Sequence, residues 1–294
     1  MGSPDPPQVY LSVFVRHLSR SVLVLALVVG AQTALAGSAN ALAPVRDDVG
    51  VAGAQGKPGG GGGGGGSSSA RGYDISYPQC GGAYPSNPAF AIVGINGGKV
   101  FSINPCLTSQ IAWGGGAAAE LYANTGNPGP ALSSFWPRGQ TAPRFCDPNN
   151  PDTADCAFDY GYNAAKHSYE TAVAAYASLG LTASPAATRW WLDVETMNSW
   201  RSDVALNVAA LEGEVAYLRD VAGVTKLGFY STTHQWGVIT GGTKVFAPSP
   251  SWGAGASNER AARNLCTSTT TSFTGGPLTM VQFIISGFDA NIRC

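Results

Sequence analysis

The sequence predicts an α/β domain, a closed barrel of parallel strands wrapped by helices. Three observations carry this. Between Arg71 and Cys294, short apolar runs of strand length alternate with helical patterns, the order that builds a parallel sheet under outer helices. No second linker and no internal repeat divides that stretch, so it reads as one domain. The first strand-like segment, Gly72-Tyr73-Asp74-Ile75-Ser76, is not followed by GxGxxG, the phosphate-binding turn of an open doubly wound sheet. Gly114-Gly115-Gly116 lacks both a P-loop lysine and a preceding strand, so a barrel is favoured over an open nucleotide-binding sheet.

Residues 1–43 read as a secretory signal peptide. Arg16, His17 and Arg20 form a basic end, the apolar run Val22 to Val29 follows, and Ala34-Leu35-Ala36 and Ala41-Leu42-Ala43 are both small-x-small cleavage candidates. The run is shorter than the about 20 residues that span a bilayer, and Gly30, Gln32 and Thr33 interrupt its continuation. Cleavage is therefore expected rather than stable membrane insertion. Residues 44–70 form a linker: Gly59 to Gly66 is unbroken glycine, followed by Ser67-Ser68-Ser69, a composition with too little apolar surface to offset its ordering entropy. The folded domain spans 71–294.

Within it, Phe90 to Val93, Trp190 to Val194, Leu227 to Tyr230 and Thr279 to Ile285 read as strands. Tyr162, Ala165, Tyr169, Ala172, Val173 and Tyr176 recur at helical spacing and end before Gly180. Val208, Leu211, Val215, Leu218 and Ala222 do the same, with Ser202 as expected N-cap and Gly223 as stop. A further helix is expected over Asn258 to Leu265.

All six cysteines (Cys80, Cys106, Cys146, Cys156, Cys266 and Cys294) lie beyond the signal, and an even number in an exported chain implies disulfides. Six cysteines allow fifteen connectivities; proximity along the chain suggests Cys80–Cys106, Cys146–Cys156 and Cys266–Cys294. No CxxC pair exists, so a zinc site is not expected. Asp147, Asn149, Asn150, Asp152 and Asp155 lack the EF-hand pattern and read as a disulfide-closed polar turn. No metal and no cofactor is expected.

Net charge is −1 and charged residues make up 12%, without the basic footprint of a nucleic-acid binder or of an electrostatic membrane binder. A monomer is expected. Beyond the signal the histidines are His167, in a helix, and His234, in a loop; neither HExxH nor GxSxG occurs.

The chemistry concentrates in Trp190-Trp191-Leu192-Asp193-Val194-Glu195. At period two, Trp190, Leu192 and Val194 share one apolar face, while Trp191, Asp193 and Glu195 share the other, acidic toward its C-terminal end. In a barrel that end is where active sites sit, and adjacent carboxylates raise one another's pKa, which keeps a general acid protonated. Taken alone, the segment equally suits a solvated strand edge or a helix cap. Asp74, on the first strand, and Asp289, after the last, add two more acids at strand ends; closing a barrel makes those strands neighbours.

These motifs together resemble the family 25 glycoside hydrolases, lysozymes that act as N-acetylmuramidases. The opening Gly72-Tyr73-Asp74-Ile75-Ser76, the second strand Phe90-Ala91-Ile92-Val93, Leu192-Asp193-Val194-Glu195, Leu227-Gly228-Phe229-Tyr230-Ser231, and Val281-Gln282-Phe283 with the turn Asp289-Ala290-Asn291 follow the family order. The resemblance implies an irregular TIM-like barrel of about eight strands with fewer than eight helices. It implies that Glu195 is the proton donor, that Asp193 orients the substrate's acetamido group or stabilises positive charge, and that Asp74 and Asp289 tune Glu195. Tyr230 and Trp252 are implied sugar-stacking residues, with Trp191, Gln282 and Tyr122 as further groove candidates. The partner it implies is peptidoglycan or another polysaccharide, met outside the cell. Three segments depart from the family pattern: Gly94-Ile95-Asn96-Gly97-Gly98-Lys99, Leu121-Tyr122-Ala123-Asn124, and an insertion from Asn127 to Phe158. They leave open a hydrolase of a different glycan, or a carbohydrate-binding barrel without catalysis.

Overall fold

A computed structural model of the chain describes residues 70–268 and 272–294. The expected signal segment, and residues 44–69 of the expected linker, lie outside the described residues. The domain is a closed eight-stranded barrel in sequential order. Its strands are β1 (Gly72–Ile75), β2 (Ala91–Gly94), β3 (Glu120–Asn124), β4 (Trp190–Asp193), β5 (Leu227–Ser231), β6 (Ser251–Ala256), β7 (Leu278–Ile285) and β8 (Phe288–Arg293). Five α-helices accompany them among the described residues: α1 (Leu107–Trp113), α2 (Ala154–Ser178), α3 (Val204–Ala216), α4 (Thr233–Thr240) and α5 (Glu259–Cys266).

Strands β1 to β7 run parallel, but β8 is antiparallel to both β7 and β1. This corrects the expected turn at Asp289–Asn291, which is strand. Ser286 (φ 52°) and Gly287 (φ 80°) both take the left-handed region, forming the two-residue turn whose twist matches a hairpin. The chain therefore reverses at once and closes the barrel, with Asp289 in register with Asp74.

The alternation in β4 sorts its side chains between two cores. Trp190 and Leu192 pack outward into the large cluster under α2 and α3, with Leu211 and Phe229. Trp191 points inward and joins Ile92, Trp252 and Met280. Its indole fits because the neighbouring β5 position is Gly228: a Cβ there would lie 2.4 Å from the Trp191 ring. The Trp191 Nε1–H donates to Glu120 Oε2 at 2.8 Å. Glu120, at the start of β3, also accepts from Arg293 at 2.6 Å, so the lower end of the interior is sealed by an ion pair.

Local capping explains where helix bounds differ from expectation. Helix α2 begins at Ala154, well before Tyr162, because the Thr153 hydroxyl accepts from the Cys156 N–H. Cys156 and Asp155 thus sit in the first helical turn and the end of the insertion is helix, while residues 147–152 form the expected polar turn, closed by the Cys146–Cys156 disulfide. Helix α3 is capped by Asp203, whose carboxylate accepts from the Ala205 N–H at 2.9 Å, in place of the expected Ser202. Helix α5 is capped by Asn258. Helix α4 places His234 in a helix rather than a loop, capped by the Thr232 hydroxyl. Disulfides join Cys80 to Cys106, Cys146 to Cys156 and Cys266 to Cys294.

Candidate active site

The upper ends of the strands open into a pocket of about 160 Å³ lined by Asp74, Asp193, Glu195 and Asp289 together with Tyr122, Tyr230, Trp252 and Gln282. The four acids come from β1, β4, the residue pair following β4, and β8. Two of the expected sugar-contacting residues are placed differently. Trp191 is 0% exposed and lies among the interior residues beneath, not in the pocket lining. Trp252 lines the pocket but is only 1% exposed, so it forms a wall and offers no open ring face for stacking. The Tyr230 and Trp252 rings meet at 4.5 Å, inclined at 61°.

A hydrogen-bonded chain holds Asp74. The Trp252 Nε1–H can only donate, and it donates to Asn291 Oδ1 at 2.8 Å. That fixes the Asn291 amide so that its Nδ2 donates to Asp74 Oδ1 at 2.6 Å. On the other side Gln282 donates to Asp74 at 3.1 Å and accepts from the Tyr230 hydroxyl at 2.8 Å. Burial, and then the like charge of Asp289, push the Asp74 carboxyl up to about 8 against these hydrogen bonds.

Asp193, the last residue of β4, is buried. Asn124 donates to its Oδ2 at 2.7 Å, while Oδ1 has no hydrogen-bond partner among the described residues. Burial and the neighbouring Glu195 charge hold Asp193 well above the usual carboxylate range.

Glu195 is half-buried. Its pKa is raised chiefly by burial, with a hydrogen bond from Gln235 opposing and the charge of Asp289 adding. The backbone on either side of it is pinned. The Val194 N–H donates to the Tyr230 carbonyl at 2.9 Å, Ser231 donates to the Val194 carbonyl at 2.7 Å, and Trp200 Nε1 donates to the Glu195 carbonyl at 2.8 Å. Asp289 is raised by burial.

All four carboxyls are thus shifted toward the protonated form, in a pocket whose lining includes no cationic side chain. Such a site retains protons near neutral pH, and Glu195 is more open to solvent than the buried Asp74 and Asp193. The shifts carry a stability consequence. Between the ordinary Asp value near 4 and the Asp74 value of about 8, the folded chain binds more protons than the unfolded one. Stability therefore falls as pH rises through that window. Thermal unfolding is expected at higher temperature at pH 5 than at pH 8, and Asp74→Asn is expected to flatten the dependence. Melting temperatures that do not change with pH would contradict the assignment.

Asn124, Gln235 and Asn291 were not among the residues the sequence pointed to as functional. Asn124 carries a legible signal, since alternation along Leu121-Tyr122-Ala123-Asn124 puts it on the face of Tyr122. Gln235 lies in a short helix with no comparable signal.

No protein-family model matches the chain, and no curated protein matches it. Among solved structures, the chain is similar to a muramidase from Trichobolus zukalii (19% identity, 76% of this chain and 93% of that one, TM-score 0.45). It is also similar to a glycosyl hydrolase 25 of Streptococcus pneumoniae that participates in host cell invasion (16% identity, 76% and 87%, TM-score 0.47). A third is a Tat-secreted protein of Mycobacterium tuberculosis solved with L-tartrate (14% identity, 77% and 96%, TM-score 0.40).

Proposed function

We propose that the chain is a secreted glycoside hydrolase that cleaves the glycan strands of peptidoglycan, with Glu195 as general acid. The observation that carries this reading is the convergence of Asp74, Asp193, Glu195 and Asp289 on one pocket at the open end of the barrel, where barrel active sites are built. Glu195 delivers its proton to the glycosidic oxygen as the bond to the anomeric carbon breaks. The acetamido oxygen of the same sugar attacks that carbon, and Asp193 orients the acetamido group or balances the positive charge that develops. Water then opens the cyclic intermediate and returns a proton to Glu195. In this substrate-assisted route no enzyme carboxylate is the nucleophile, so the spacing rule for paired carboxylates does not govern it. The charge of Asp289 acts on Glu195, Asp74 shapes the site through its bonds to Gln282 and Asn291, and Tyr122 and Tyr230 present phenols to the sugar.

Residues 1–43 act as the export signal in this reading, residues 44–70 as a tether, and the domain from 71 works outside the cell as a monomer, at or near the wall. Among the described residues no helix is long and apolar enough to cross a membrane. The departures at Gly94–Lys99 and Leu121–Asn124 support the second reading, a barrel that binds carbohydrate without cleaving it or that cleaves another glycan. Loss of turbidity from a purified cell-wall suspension, treated with the oxidised protein, decides between them. Clearing is expected; folded protein that leaves the suspension turbid would remove the wall-hydrolase reading.

A further inference from the structure

A larger cavity of about 370 Å³ adjoins the acid pocket. It is floored by residues that follow β2, β3 and β4 and walled on its outer side by Leu132 to Phe135, part of the insertion that departs from the family pattern. The two spaces are linked through one carbonyl. The floor residue Thr125 donates to the Asp193 carbonyl from both its hydroxyl (2.6 Å) and its N–H (3.2 Å). Asn198, also in the lining, reaches the same oxygen.

The chemistry of the cavity is the opposite of its neighbour's. No carboxylate lines it, and Lys99 is the one charged side chain in its lining. Three large apolar residues in its lining are exposed: Leu132 (79%), Phe135 (55%) and Met197 (91%). Grouped exposure of this kind marks a binding surface more often than chance. The Phe135 ring is held by stacking on Phe101 at 4.4 Å, so the apolar wall has a fixed ring face. Asn127, between the lining residues Gly126 and Pro128, is fully buried, and neither of its side-chain amide atoms has a hydrogen-bond partner among the described residues.

We infer that this cavity is a second subsite, taking an anionic acyl-peptide branch carried by the glycan ring next to the bond that is cleaved. The inference rests on the hydrolase reading for the placement of the glycan. An anionic branch finds no cationic side chain in the acid pocket and is attracted toward Lys99, while its apolar side chains meet Leu132, Phe135 and Met197. A branched glycan can then lie in only one direction across the barrel mouth.

The test is calorimetric binding to the Glu195→Gln protein, which slows turnover and alters no residue lining this cavity. The probes are a soluble N-acetylglucosamine–N-acetylmuramic acid disaccharide carrying a short peptide, and the same disaccharide without it. The peptide-bearing probe is expected to bind about tenfold tighter, on the order of one desolvated charge contact with apolar support. That ratio is expected to fall toward one in both Lys99→Glu and Phe135→Ser. Equal affinity for the two probes, no measurable binding of either, or a ratio that survives Lys99→Glu overturns the subsite; a further neutral sugar as occupant would give the first of these results. Selective binding without wall clearing by the parent protein would remove the hydrolase reading and leave the subsite standing. Clearing without selectivity would do the reverse.

Discussion

Glu195→Gln is expected to slow wall clearing by about a hundredfold or more, the usual contribution of a positioned general acid. The substitution keeps the size and most of the hydrogen-bonding capacity of the side chain but removes the transferable proton. The backbone that aims the side chain is held by bonds to Tyr230, Ser231 and Trp200 that do not involve the carboxyl, so the variant should fold as the parent does. It also removes a carboxyl that burial and then the Asp289 charge disfavour in ionised form, so its melting temperature should match or exceed the parent's. Clearing rates and melting curves measured side by side check both halves. A variant with more than about a tenth of the parental rate would take the proton-donor role away from Glu195.

Gly213→Ala is expected to give a large loss of stability. Helices α2 and α3 cross at backbone contact. A Cβ on Gly213 would lie 1.9 Å from the Phe158 carbonyl oxygen, and one on Gly161 would lie 1.9 Å from that of Ala210. Because the obstacle is main chain, no side-chain rotation relieves it and the helices must part. The parting would disturb the packing of Leu211 against Trp190 and Leu192 in the outer core. Overpacking of this kind costs roughly 1–3 kcal/mol and sometimes more, against a helix-propensity gain of about 1 kcal/mol from glycine to alanine. With a backbone obstacle the upper end applies, and the melting temperature should fall by several degrees. An unchanged or raised melting temperature would mean that propensity outweighs the contact and that the helices can separate freely.

The barrel was legible where apolar runs were long or alternating. Trp190–Asp193 and Leu227–Ser231 carry enough aromatic and apolar character to show as strands, and the periodic faces of α2 and α3 show as helices. Strand β6 was hidden because four of the six residues in Ser251-Trp252-Gly253-Ala254-Gly255-Ala256 are glycine or alanine, residues with little strand preference. Helices α1 and α4, at 7 and 8 residues, are too short for a periodic pattern to stand out. The antiparallel β8 was read as a turn because Phe288-Asp289-Ala290-Asn291 is polar at alternate positions. In the closed barrel those positions face the interior, where Asn291 bonds to Asp74 and Trp252.

The acids of the candidate site were legible for the same reason that the supporting amides were not. A carboxylate at the end of an apolar strand is conspicuous in sequence. The amides that orient it, Asn124, Gln235 and Asn291, are ordinary strand and helix residues until the fold brings them together. Trp191 shows the limit of reading faces from alternation, which gave its direction correctly but not its depth below the pocket.

The central claim is that this acid cluster cleaves the bond following N-acetylmuramic acid in peptidoglycan. Purified peptidoglycan treated with the protein, reduced with borohydride and analysed by mass spectrometry measures it most directly. The account predicts new reducing ends on N-acetylmuramic acid, absent when Glu195→Gln replaces the parent. New ends on N-acetylglucosamine, or no new reducing ends from folded protein, would contradict it.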